Sequence, residues 1–188
     1  MAAASRAGGG LRQAWRCGIE GTRPPVASPD GDRAVALSLQ LARAHQELRQ
    51  RVREIRSGIA RRELGAAVLL THCLAFCAAL TSHHQGEDTG MFDRLLHERP
   101  DLAPTIAKLV EDHGLITSIL SRVGDLAAVA ARSDGSALDA VGRELDGLMA
   151  IMESHFAYEE RAISAALDAG VADNGWSDMV FRFGDAPS

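Results

Sequence analysis

From Asp32 onward the chain carries four apolar stripes stepped by three and four residues, and a histidine breaks each stripe where the pattern calls for leucine. Steps of that size put side chains on one face of a helix, the face that must be buried against other helices. Helix A gives Leu37, Leu41, His45, Leu48, Val52 and Ile55, with Ser57-Gly58 as its stop. Helix B gives Leu69, Cys73, Phe76, Leu80, His83, Glu87 and Met91, ahead of the breakers Pro100 and Pro104. Helix C gives Ile106, Leu109, His113, Ile116, Leu120 and Val123, and ends before Ser133-Asp134-Gly135-Ser136. Helix D gives Leu145, Leu148, Met152, His155, Glu159 and Ile163, and fades at Ala169-Gly170. The implied fold class is all-α, an up-and-down antiparallel four-helix bundle.

Length and composition agree with this. A chain of 188 residues closes one core, and aromatics at 4% beside abundant alanine and leucine favour helix over sheet. The bundle is expected over 32–169, between a disordered N-terminal extension at 1–31 and a C-terminal tail at 170–188. The extension carries Gly8-Gly9-Gly10, Pro24-Pro25 and several arginines, and lacks the apolar core of a signal peptide. A net charge of -5 gives no general reason to bind nucleic acid, and Arg49, Arg51, Arg53 and Arg56 read as a solvated face of helix A. Three cysteines, Cys17, Cys73 and Cys77, do not form the paired framework of a secreted domain and fit a reducing cytoplasm. The apolar run from Leu64 to Leu80 contains His72 and leads into Ser82, His83 and His84, so it reads as a buried helix and not a membrane span.

Burying ionisable groups without partners is costly, so six interruptions on four helices need one explanation. The alternative is a core that merely tolerates polar residues. Levels along the helices favour a shared site. His113 and His155 lie about equally far from the 133–136 turn, roughly 30 Å at helical rise, and Glu87 and His113 are about equally far from the 99–101 turn. His45 joins that layer only if helix B starts near Gly65, which predicts an irregular connection between Gly58 and Gly65. His83-x-x-x-Glu87 and His155-x-x-x-Glu159 each place an imidazole and a carboxylate one turn apart on one face.

The order His45, His83/Glu87, then His113, His155/Glu159 repeats one helix-pair pattern, as two facing half-sites would. Each metal of a dinuclear centre then receives two nitrogens and shares the two carboxylates, with Glu87 and Glu159 as bridges. Room remains for an oxo or hydroxo bridge and an exchangeable ligand. The mixed nitrogen and oxygen set suits two iron ions cycling between Fe2+ and Fe3+, and is also compatible with manganese or zinc.

Over roughly 33–168 these residues resemble the hemerythrin, or HHE cation-binding, family. The segments that carry the resemblance are His83-His84-Gln85-Gly86-Glu87-Asp88-Thr89-Gly90-Met91-Phe92, Glu111-Asp112-His113 and His155-Phe156-Ala157-Tyr158-Glu159-Glu160. The oxygen-carrying members have a second histidine one turn along the third helix and an aspartate as last carboxylate; here Thr117 and Glu159 stand instead. The pattern is closer to bacterial iron-centre-repair proteins and actinobacterial hemerythrin-like proteins. That resemblance implies a hemerythrin-like bundle and a di-iron centre that meets O2, H2O2 or NO. Two functions follow: an oxidoreductase that decomposes peroxide or reduces oxygen or nitric oxide, and an oxygen, nitric oxide or iron sensor without turnover. Neither calls for nucleic acid or a membrane as partner.

Other residues divide between site and scaffold. His84 competes with His83; His83 continues the Phe76-Leu80 stripe and shares the register of the second half-site, which leaves His84 beside the metal or exposed. His72 lies about 16 Å along the axis from His83, too far to share the cluster, and His97 falls near a helix end. Cys73 and Cys77 read as small core residues. Tyr158 reads as packing or as a hydrogen-bond donor behind a ligand. Glu160 and Asp112 adjoin ligands and can orient imidazoles, or stand as solvated acids.

Overall fold

The computed structural model describes residues 35–62, 65–132 and 137–183. The N-terminal extension, Cys17 and the Ser133–Ser136 turn lie outside the described residues. Helices α1 (Leu37–Arg61), α2 (Ala66–Gly86), α4 (Ala103–Ala130) and α5 (Leu138–Asp168) form the bundle, each packed on two others. A π-helical turn at Glu87–Met91 joins α2 to the short α3 (Phe92–Glu98), and a 3-10 turn at Pro100–Leu102 leads into α4.

Two apolar clusters fill the bundle, one on each side of a polar layer. Leu48, Leu80, Ile116 and Met152 belong to the first cluster; Leu41, Met91, Leu109 and Ile163 belong to the second. Successive helices cross from one cluster to the other in opposite senses, so their directions alternate. The histidines occupy the stripe positions between these pairs.

The chain does not stop at Ser57-Gly58, as expected. Ile59 is the next position of the stripe after Val52 and Ile55 and is buried, so packing carries α1 on to Arg61. Arg62 then takes a left-handed conformation, φ 53°, and α2 begins after Gly65. Among the described residues no adjoining side chain caps α1. Its exposed N–H at Ser38 and the Ser38 hydroxyl are instead accepted by the Asp168 carboxylate, at 3.0 and 2.6 Å, from the far end of α5.

The span Ala67–Glu98 is long and apolar enough to cross a membrane by length and composition. Its inward residues Leu69, Cys73, Phe76 and Leu80 are buried in the bundle, and Val68 and Leu74 are exposed. Three of the four arginines read as a solvated face pair with acids: Arg49 with Glu153 and Glu160, Arg56 with Asp146 and Arg51 with Glu47.

Past Gly170, where a tail is expected, Gly175 (φ 105°) opens a further helix, α6 (Trp176–Phe181), against α2 and the π turn. Asp173 accepts bonds from the Gly175 and Ser177 N–H groups and the Ser177 hydroxyl at the start of α6.

Candidate metal centre

His45 of α1, His83 of α2, Glu87 of the π turn, His113 of α4, and His155 and Glu159 of α5 converge in the polar layer, each no more than 3% exposed. His84 joins them, 3% exposed. The choice between His83 and His84 therefore dissolves, because the structure brings both into one cluster. His97 is exposed and His72 half-buried, both outside it. Thr117, one turn after His113, is exposed and offers nothing to the site.

The π turn accounts for the pair. The Phe92 N–H bonds the Glu87 carbonyl, a five-residue step that widens the helix where Glu87 enters the layer. On the turn before it, His83 points toward His45, ring centroids 5.1 Å apart, while His84 lies flat on His113, centroids 3.9 Å apart and planes 9° apart.

Donor atoms gather in overlapping sets: His45, His83 and Glu87; His84, His113 and His155; and Glu87, His113 and Glu159, each within 4.8 Å. Glu87 faces both ways, with Oε1 3.1 Å from His83 Nε2 and Oε2 3.5 Å from His113 Nε2. Glu159 Oε2 lies 3.4 Å from His45 Nε2 and 3.6 Å from His155 Nε2. Donors sharing one metal at bonds of about 2.1 Å sit about 3 to 3.4 Å apart, close to these values. Both carboxylates can bridge, and the imidazoles divide two and three, not evenly as the repeated sequence pattern suggests. The even split omits His84.

Hydrogen bonds behind the rings fix their orientation. His45 Nδ1 donates to Glu160 at 2.8 Å and His113 Nδ1 to Asp88 at 2.7 Å. His155 Nδ1 is 3.7 Å from Asp112. His83 Nδ1 lies 2.8 Å from the Val180 carbonyl, which can only accept, so Nδ1 carries the proton and Nε2 presents a lone pair. Asp88 and Val180 escape sequence reasoning, one as an acid next to a ligand and the other as a main-chain oxygen. Phe156 stacks on His45, centroids 3.9 Å apart, and forms the apolar wall of the layer.

Without a metal the five imidazoles divide: burial favours the neutral form of His83, His84 and His155, and the acids around His45 and His113 favour their protonated form. Burial drives His83 down to about 3 and His155 to about 4, and holds His84 well below its ordinary 6.5 with help from the His113 charge. For His45 burial works the other way from its partners, but Glu159, Glu160 and Glu87 prevail and lift it to about 10. His113 is raised as Asp88 and Glu87 outweigh its burial. Glu87 is raised by burial and by Glu159, while His45 outweighs burial and keeps Glu159 low.

The Nε2 atoms of His45 and His83, both nitrogens of His84 and all four oxygens of Glu87 and Glu159 are buried without a hydrogen-bond partner. Each such orphan costs about 1 to 3 kcal/mol, so their convergence from four segments fits cations that take them as ligands. The donor set is of the type that iron, manganese and zinc accept.

The hemerythrin HHE cation-binding domain matches residues 38–167, a span that reaches from α1 to α5 and ends before α6. No curated protein and no solved structure matches the chain. With that span covering all of the converging side chains, the chain belongs to the hemerythrin HHE cation-binding family and is a metal-binding helical domain.

Proposed function

We propose that the protein holds two iron ions, oxo- or hydroxo-bridged, and binds or reacts with a small ligand such as dioxygen, peroxide or nitric oxide. The observation that carries this reading is the unequal grouping of buried donors. His84, His113 and His155 would hold one ion and His45 and His83 the other, with Glu87 and Glu159 able to reach both groups. The ion with fewer imidazoles would have the position left for a small ligand.

Such a pair supplies two-electron redox chemistry when bound. The chain's part is to hold and shield it. Phe156 packs against His45 and excludes water from that side. Glu160, with its side chain 30% exposed, accepts the His45 Nδ1 proton and links the buried layer to solvent, with Arg49 3.1 Å from the same oxygen.

Iron content and the absorption spectrum of the aerobically loaded protein test this. Two irons per chain and near-ultraviolet charge-transfer bands that shift with azide support it, and steady oxygen evolution from H2O2 would assign turnover. A single iron, or bands indifferent to azide, would sink the reading.

A further inference from the structure

α6 is not needed to close a four-helix bundle, yet it touches the metal layer. Its Val180 is fully buried and Trp176 nearly so. The helix lies on two glycines of the strand of chain that carries His83 and Glu87. A Cβ on Gly90 would fall 2.5 Å from Trp176 Cβ, and one on Gly86 would fall 2.8 Å from Met179 Cβ and 3.2 Å from the Val180 nitrogen. Gly86 and Gly90 therefore form a trough in which only an unsubstituted backbone lets α6 sit this deep.

From that seat Val180 presents its carbonyl to His83. Phe183, just beyond, sets its ring 5.8 Å from the His83 ring, and the Arg51 guanidinium lies over the Phe183 ring, 5.5 Å from its centroid. The remaining oriented imidazoles take their acceptors from the bundle itself: Glu160 for His45, Asp88 for His113 and Asp112 near His155. His83 alone depends on a segment outside the four helices. A helix of six residues does not hold its shape unaided, so α6 is formed only while it is docked.

We propose that α6 is a strap whose docking is coupled to metal occupancy at the His45/His83 position. This rests on the two-metal reading above. Docked, the Val180 carbonyl holds the His83 proton on Nδ1 and aims Nε2 at the ion; undocked, the ring loses that acceptor and turns freely. A ligand that favours one of two states shifts the balance toward it, and the effect is reciprocal. The ion at His45/His83 therefore clamps α6, and α6 retains that ion, while the ion of His84, His113 and His155 is indifferent to both.

The experiment titrates Fe(II) anaerobically into the full-length apo-protein, reading each affinity by chelator competition and backbone exchange over 172–183 by mass spectrometry. Wild type should bind two ions and slow exchange in that segment at least tenfold. Trp176→Ala, which removes the anchor, should weaken one ion about 10- to 100-fold and leave the other unchanged. Gly90→Ala, which fills the trough from the opposite side, should give the same split, and the two together should do no more than either alone. Unchanged exchange on loading, wild-type affinities in both variants, or equal weakening of both ions would overturn the strap with the metal reading intact. A wild type that binds no Fe(II) would overturn the metal reading itself.

Discussion

His84 lies parallel to His113 at 3.9 Å between ring centroids, on adjoining helices, and neither of its nitrogens has a hydrogen-bond partner. A buried imidazole with nothing to bond fits the place of a metal ligand. His84→Ala should therefore weaken one of the two ions by more than about 100-fold and leave the other close to wild type. Metal analysis after dialysis against a graded chelator would show it, and full retention of both ions would remove His84 from the donor set.

Glu87 and Glu159 each face imidazoles from both halves of the site. Loss of either carboxylate should loosen both ions and abolish their magnetic coupling, whereas a ligand to one ion alone would leave the other bound and unaffected. Mössbauer and magnetic measurements on Glu87→Ala and Glu159→Ala discriminate these outcomes. Two fully occupied, coupled irons in either variant would contradict the bridging role.

Metal removal should destabilise the whole bundle, because the orphaned donors sit between its two apolar clusters. A ligand at 100 times its Kd contributes about 2.7 kcal/mol to folding. In a protein of this size that corresponds to a drop of about 5 to 10 °C in Tm on chelation, measured by calorimetry. An unchanged Tm would mean that the native state does not bind the metal preferentially.

Asp168 caps α1 from the end of α5, and its bonds from the Ser38 hydroxyl and N–H hold its carboxyl below the ordinary 3.8. Asp168→Ala should cost about 1 kcal/mol at neutral pH, the usual scale for a lost helix cap. A depressed folded value means that the contribution is complete above the unfolded value and fades as pH falls through the folded one. The gap between wild type and variant in urea midpoints should thus hold down to pH 3.8 and close below it. A gap independent of pH would show that the charge plays no part.

The stripes made most of this legible, since His45, His83, Glu87, His113, His155 and Glu159 stand where a 3.6-residue period demands leucine, and the structure gathers all of them. His84 was harder because a regular helix turns about 100° between neighbours, so one stripe has room for only one of two adjacent histidines. The two bury together next to a π turn, which no period announces. The α1 stop at Ser57-Gly58 failed for a simpler reason: Ile59 had a core to reach. Val180 acts through a main-chain oxygen, which every residue possesses, so no side-chain pattern could mark it. The six residues of α6 are also too few to display a period.

The π turn at Glu87–Met91 makes α2 and α3 a single rod read in two phases. Upstream of it the buried sector is set by His83 and His84; downstream it is set by Phe92 and Leu95. An unbroken α ladder through the same residues, with none removed, would rotate everything beyond Met91 by about 100°. Phe92 and Leu95 would swing toward solvent while the histidines kept their places. The supernumerary residue is thus a gear between two tasks, letting one continuous helix aim its first half at ions and its second half at hydrocarbon without a loop between them.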